Sequence, residues 1–495
     1  MKVFSTGFIF LTASFLIFSP LVLISAGPSP LLAGEPPEEQ QDTAPDAGSK
    51  QQLFDTGSLP EDLFEPSRDT QSAPPDFTFS GTVQVRGTMD TSSDDRQENN
   101  TSLRNRIILE SRYKTSARVS VLSDYLYFGD DNQTDDYDLE LHEAAFLYAN
   151  NRLDLSVGRQ IIRWGKADQF SPVDTLNPQD FREFMIPDYE ETKQPVWMAN
   201  LKLLFDGFAL EGVFIPFFEA ADIDYFDSDW AVFPHLKNRL EKAAVPDTLK
   251  NYINTLQVNE TDPSNETEFA LRLTTTVKNW DIGASWHHTT EDLPYFTSFP
   301  VKNIRVDGSF SEQSIASGLQ NAVFTNENIE VAYQRTDVLG MEFETTLSGF
   351  GIRGEAAWYE KESFLTSSLT STANHTFSTI IGADYTTPSQ IYFNLQFLHR
   401  HIFDHTPDIL YFEKDTYSLL GEISRDLFSP WIEGRLNYSV ILNDNAWYLS
   451  PSIKHTRIPN LDIVIGANLF YGDDDTWLGR FNNDSQFFVD VSYHF

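Results

Sequence analysis

The chain has 495 residues, 40% hydrophobic and 14% aromatic, with 73 acidic against 35 basic side chains and no cysteine. A formal charge of −38 excludes the basic surface expected of a phosphate-backbone binder, so no nucleic-acid partner is expected, and the missing cysteine excludes a disulfide framework, a thiolate metal site and a thiol nucleophile. The mean hydropathy of −0.34 suits a soluble protein, but also a transmembrane barrel, where only every second strand residue meets lipid.

Residues 1–26 read as a secretory signal peptide. Lys2 precedes an apolar run from Gly7 to Ile24, then the small residues Ser25, Ala26 and Gly27. An uncleaved anchor helix is the alternative reading. Residues 27–75 are rich in Pro, Glu, Gln, Asp and Ser. Such a segment cannot bury enough apolar surface to fold and reads as a disordered acidic periplasmic leader. The remainder, residues 76–495, reads as one β domain.

Candidate strands fall at 76–90, 102–114, 117–129, 138–149, 152–164, 196–206, 207–217, 267–278, 279–290, 333–347, 350–361, 374–387, 390–402, 413–426, 430–443, 446–456, 460–471 and 485–495. Many alternate with a period of two, the strand repeat. Ile391, Phe393, Leu395 and Phe397, for example, interleave with Tyr392, Asn394 and Gln396. Short turns follow the even-numbered segments and longer loops mostly follow the odd ones. A single antiparallel barrel with turns at one end and loops at the other predicts this. The expected fold is therefore all-β: one large antiparallel transmembrane β-barrel of 18 strands (16 being the alternative count) with long extracellular loops. Acidic stretches such as Asp130–Asp138 read as solvated loops, or as cation contacts at a lipopolysaccharide surface. No spacing selects a metal, and no cofactor is expected.

The fifth segment and its loop read VGRQIIRWGKADQFSPVDTLNPQDFREFMIPDYEETKQPVW over residues 157–197. Gly158-Arg159-Gln160, Trp164-Gly165, Asp168, Pro172, Asp174 and Asn177-Pro178-Gln179-Asp180 stand in order, followed by Glu190-Glu191, Lys193 and Pro195. With Ile215–Ala220 (IPFFEA), this progression resembles the domain-of-unknown-function 1302 family of Gram-negative outer-membrane proteins. The resemblance implies a large outer-membrane barrel, a channel, and no particular substrate. More distantly, the barrel pattern is similar to the alginate-export porins.

Physically, the segment reads as a loop folded into the lumen. A bulge at Gly158 would turn Arg159 and Arg163 inward. Asp168, Asp174 and Asp180 would pair with lumen arginines, and Asn177-Pro178 would form a turn. Together with Trp164 these residues are the candidate constriction; a brace or plug without selectivity is the alternative. Strand parity also points Arg86, Arg104, Arg106, Arg112 and Arg118 inward on early strands, and Glu342, Glu344, Glu355, Asp384 and Glu422 inward on later ones. Opposed basic and acidic walls would set a transverse field across a pore. A salt-bridged interior is the other reading.

Two further loops, 218–266 and 291–332, are too long for plain hairpins. The first is expected to hold two short amphipathic helices separated by Pro246. The chain closes on FFVDVSYHF, with Phe487, Val489, Val491, Tyr493 and Phe495 on one face. Tyr493 and the terminal Phe495 resemble the assembly signal of outer-membrane barrels. The expected partners are accordingly outer-membrane lipid, lipopolysaccharide, the barrel assembly machinery and a small solute.

Three function classes follow. The first is passage of small polar or amphipathic solutes through the outer membrane. The second is a structural or assembly barrel partnering a periplasmic complex. The third is an outer-membrane hydrolase, for which His287, His288 and the HRHIFDH run with His399, His401 and His405 are the base or metal-ligand candidates. Neither GxSxG nor HExxH occurs.

Overall fold

The computed structural model describes residues 76–91, 101–129, 134–226, 228–233, 247–253, 256–261, 263–319, 322–325 and 327–495. The expected signal peptide, leader and first loop helix lie outside the described residues.

Eighteen strands form one sheet. They are β1 (Phe77–Asp90), β2 (Thr101–Tyr113), β3 (Ala117–Gly129), β4 (Thr134–Asn150), β5 (Leu153–Gln160), β6 (Val196–Phe205), β7 (Phe208–Ile215), β8 (Glu268–Val277) and β9 (Trp280–Thr290). The second half comprises β10 (Arg335–Leu347), β11 (Phe350–Leu365), β12 (Ser371–Thr386), β13 (Ile391–Ile402), β14 (Asp415–Asp426), β15 (Ile432–Ile441), β16 (Ala446–His455), β17 (Leu461–Tyr471) and β18 (Gln486–His494). Each strand pairs antiparallel with the next. β18 pairs antiparallel with β1, so the sheet closes and has no edge.

Local chemistry sets the turns. Between β10 and β11, Ser348 and Gly349 both take positive φ, 53° and 86°, which a two-residue type I′ hairpin requires. The two-residue turns at 151–152, 206–207, 278–279 and 348–349 all lie at the end that holds the chain's first and last strand residues. The long connections lie at the opposite rim.

The two faces divide by polarity. On β13, Phe393, Leu395 and Phe397 are exposed while Asn394 and Gln396 are buried. On β18 and the residue after it, Phe487, Val489, Tyr493 and Phe495 are exposed while Gln486 and Asp490 are buried. The outside of the barrel is thus apolar and the inside polar, the reverse of a water-soluble barrel. A water-soluble monomer rarely exposes a contiguous apolar patch beyond a few hundred Å². An apolar band around a closed barrel is a lipid-facing surface, and the chain is a transmembrane β-barrel.

The long loops are folded. Phe233, Phe296, Phe299, Ile304, Phe310 and Ile329 share one buried cluster with Leu369 and Leu410 from two further loops. A small sheet joins Val258–Glu260, Tyr295–Ser298 and Ile329–Ala332. The helix Glu312–Gly318 is N-capped by Ser311, whose side chain accepts from the Ser314 amide. Of the helices expected around Pro246, Asp247–Ile253 is present.

Candidate functional site

Residues 161–195 leave the wall at the end of β5 and return as β6. Between these points the segment touches opposite walls. On one side, Arg104 of β2 donates to Asp180 at 2.7 Å and to Glu183 at 2.5 Å, and Arg86 of β1 lies 3.4 Å from Glu191. On the other side, Asp168 accepts from Arg353 of β11 and from Asn394 and Gln396 of β13, each at 2.6 Å. Glu355 of β11 accepts from the amides of Lys166 and Ala167 and, at 2.7 Å, from Ser171 Oγ. Gln169 reaches the Gly421 carbonyl of β14 at 2.9 Å. In a ring of eighteen strands, β2 and β11 are half a circumference apart. The segment therefore bridges the barrel's diameter, held at both ends by charge-assisted hydrogen bonds.

The sequence motif is the framework of this bridge. Gly165 takes φ +99°, where a Cβ would press on Ser171 Oγ and lie 2.7 Å from Glu355 Oε1; only glycine lets the backbone reach that carboxylate. Trp164 is 1% exposed, packs edge-on against His287 at 4.8 Å and lies under Arg272 at 5.6 Å. Asn177 ties the two ends of the segment together. Its Oδ1 accepts from the Ile162 amide at 2.9 Å, and its Nδ2 donates to the carbonyls of Gln160 at 3.1 Å and Gln194 at 2.8 Å. Asp174 and Lys193 form a buried ion pair at 2.6 Å, completed by Tyr189 OH at 3.0 Å and the Trp164 amide at 3.2 Å. Arg163 pairs with Glu190, donates to the Ala167 carbonyl and covers the Tyr189 ring at 5.1 Å.

The family model described as a protein of unknown function, DUF1302, matches residues 54–457. The chain belongs to the DUF1302 family. No curated protein matches this DUF1302 chain. Among solved structures it is similar to OccAB3 of Acinetobacter baumannii, at 11% identity over 85% of this chain and 99% of that one, with a TM-score of 0.45. A BenF-like porin from Pseudomonas fluorescens Pf-5 is similar at 11% identity, 85% and 98% coverage and a TM-score of 0.45. OccK2 (OpdF) of Pseudomonas aeruginosa, in complex with glucuronate, is similar at 12% identity, 85% and 98% coverage and a TM-score of 0.45.

Three expectations are corrected in the DUF1302 barrel. Arg159 does not turn inward. β5 keeps its register through Gly158 against both β4 and β6, so Arg159 stays on the face of Val157, opposite the exposed Trp197. There it pairs with Glu219 at 2.6 Å. The bulge sits instead on β4, where Ser120 faces Glu143 and Val121 faces Leu141, leaving His142 with no opposite residue on β3. Asp174 does not meet a lumen arginine; its cation is Lys193 of the same segment.

The third correction concerns the walls. The five arginines and five acids all sit on the inner-face register, but they do not oppose each other as bare walls. Arg104 and Arg106 approach Asp124 on β3, at 2.5 Å and 3.9 Å. Arg86 pairs with Asp490 at 2.9 Å, Arg118 with Glu143 at 2.9 Å and Arg112 with Glu110 at 3.5 Å. Glu342 pairs with Arg272, Asp384 with Arg353, Glu344 with Lys166 at 3.0 Å, and Glu422 with Arg435 at 3.7 Å. Charges taken from water are held by near partners, so the field between walls collapses into local pairs. Parity gives a residue's face but not its partner. It therefore puts Asp124 inside with the early-strand arginines, directly across from Arg106 in the ladder, but it pairs neither Glu183 with Arg104 nor Lys193 with Asp174.

The two ends of the bridge differ electrostatically. Burial opposes ionisation of Asp180, yet its bonds to Arg182 and the charges of Arg104 and Arg182 outweigh it and hold the carboxyl below the ordinary aspartate range. At Asp168 burial wins over the attraction of Arg353 and the carboxyl is raised. Burial, with Asp180 nearby, also lifts Asp222 to about 6 despite Arg182. The backbone of Asp222 forms a parallel β-bridge beside Asp180, and its carboxylate accepts from Gln194 Nε2.

Proposed function

We propose that this protein is an outer-membrane channel for small polar or amphipathic solutes, its lumen narrowed by segment 161–195. The observation that carries the reading is the pair of anchors half a barrel apart: Asp168 on Arg353, Asn394 and Gln396, and Asp180 and Glu183 on Arg104. A chain stretched between opposite walls and fastened there by arginine and carboxylate supports a lumen that is narrow and polar. Solutes that meet paired charges are sorted by how well they replace those pairs. The apolar exterior suits outer-membrane lipid with lipopolysaccharide in its outer leaflet. The aromatic last strand suits recognition by the barrel assembly machinery, reached after signal-peptide export.

Single-channel conductance of the refolded barrel in planar bilayers tests this. Wild type should give small discrete steps, and Asp168→Ala, which frees one anchor, should give larger steps with altered ion selectivity. A demonstrably folded barrel that conducts in neither form would end the channel reading and favour a structural or assembly role.

A further inference from the structure

We propose that the outer rim of the barrel carries a binding site for a borderline divalent cation of the zinc class, formed by His399, His401 and Asp415. The ligand atoms are His399 Nε2, His401 Nδ1 and Asp415 Oδ1, which lie within 4.8 Å of one another. His399 and His401 stand two residues apart on β13 and so share one face. It is the outward face, continuing Phe393, Leu395 and Phe397. Asp415 opens β14 and lies directly across the ladder from His401. Two rigid strands therefore set the spacing of all three groups.

Both histidines converge on a single carboxylate oxygen, at 2.9 Å and 2.7 Å. A cation with ligand distances near 2.1 Å needs neighbouring ligand atoms about 3.4 Å apart, so each imidazole has to move roughly 0.5–0.7 Å from the shared carboxylate oxygen. The rings are held before any cation arrives. His399 stacks on Tyr417 at 4.8 Å, 9° from parallel, and His401 packs edge-on against Phe403 at 4.5 Å. Asn443 steadies the Asp415 backbone through its carbonyl at 3.1 Å, the kind of support that orients ligands. His405 takes no part, since its Nε2 lies 2.9 Å from the Phe412 carbonyl.

The donor set names the cation class. Two imidazoles with one carboxylate suit zinc, copper or nickel, whereas calcium and magnesium take oxygen ligands. The three side chains are 29%, 23% and 36% exposed, which leaves coordination positions open outward.

The test is a zinc titration of the folded full barrel, prepared without a polyhistidine tag, in competition with a chromophoric chelator. Wild type and His405→Gln should each bind one equivalent. His399→Gln/His401→Gln should lose that equivalent, and Asp415→Asn should weaken it at least about tenfold. Heat-modifiable gel migration checks that each variant is folded. Excess magnesium should not displace the zinc. The proposal is overturned if folded wild type binds no stoichiometric zinc, if the double variant binds as wild type does, or if magnesium competes equally.

Discussion

Lys193 Nζ lies 2.6 Å from Asp174 Oδ2, and neither side chain exposes any surface. The pair fastens the end of the crossing segment to its middle, with a second bond from Lys193 to the Ile162 carbonyl at 3.1 Å. Removing one member of a buried pair strands the other charge, which typically costs about 3–5 kcal/mol. Lys193→Ala should therefore release segment 161–195 while the barrel wall persists. Limited trypsin digestion should cut the variant at Arg163 or Lys166 and spare the wild type. Equal resistance of both proteins would show that the wall anchors alone hold the segment.

The two wall anchors should be separable. Glu183→Gln keeps the shape of the side chain but removes one of three carboxylates that Arg104 contacts, the others being Asp124 and Asp180. With two acids still in place, the bridge should hold and conductance should change little. Arg104→Met removes the cation that Glu183 pairs with and leaves Asp180 and Asp124 to Arg182, so the segment should loosen from that wall. Conductance steps of the two variants, measured side by side, check the ordering, which fails if Glu183→Gln opens the channel as far as Arg104→Met does.

The loop cap should loosen in alkali. Burial, with Glu362 beside it, pushes the Glu291 carboxyl up to about 8. One oxygen accepts from the Ser363 amide at 3.0 Å, and the other has no partner among the described residues. The folded pKa lies above the unfolded one, so the folded state holds the proton more tightly. That contribution is complete below the ordinary glutamate range and is lost as pH rises through about 8. Proteolysis of the loop after β9 should accelerate between pH 5 and pH 9, and Glu291→Gln should flatten the profile. A wild-type rate independent of pH would refute the assignment.

How much of this was legible in the sequence follows from what each signal measures. Alternation reports a residue's face and turn residues report chain reversal, so the sequence pattern carries all eighteen strands and their closure. For β5 the pattern predicts an end at 164, four residues beyond the observed Gln160. Ile162 and Trp164 prolong the apolar pattern there, while Asn177 captures the Ile162 amide and draws the chain off the wall. The pairing of Asp168 with Arg353 joins residues far apart in sequence, and no local period encodes it. Gly158 looked like a bulge because a glycine in a strand often is one. Here its φ of +142° is absorbed without a change of register, and His142 carries the irregularity.

The β1–β18 seam ends at Gly81 and Phe495. Each accepts the other's amide, at 2.9 Å and 3.0 Å, which extends the β1–β18 ladder to the final residue. The Phe495 ring lies over Gly81, where an added Cβ would come 2.5 Å from Cζ and 2.9 Å from the Ile108 carbonyl. It also faces Phe79 and Tyr493, each at 6.2 Å. An aromatic ring covering a strand glycine secures register where the glycine itself supplies no side chain. Gly81→Val should displace the ring and strain the seam against the Ile108 carbonyl, which cannot move aside. Phe495→Ala should leave the seam's backbone bonds intact but bare Gly81. Both should lower the yield of heat-modifiable, folded barrel in outer-membrane fractions, Gly81→Val more than Phe495→Ala, because only the former meets fixed backbone. Should Phe495→Ala prove the more damaging, the terminal ring would be acting in recognition by the assembly machinery beyond its part in closing the seam.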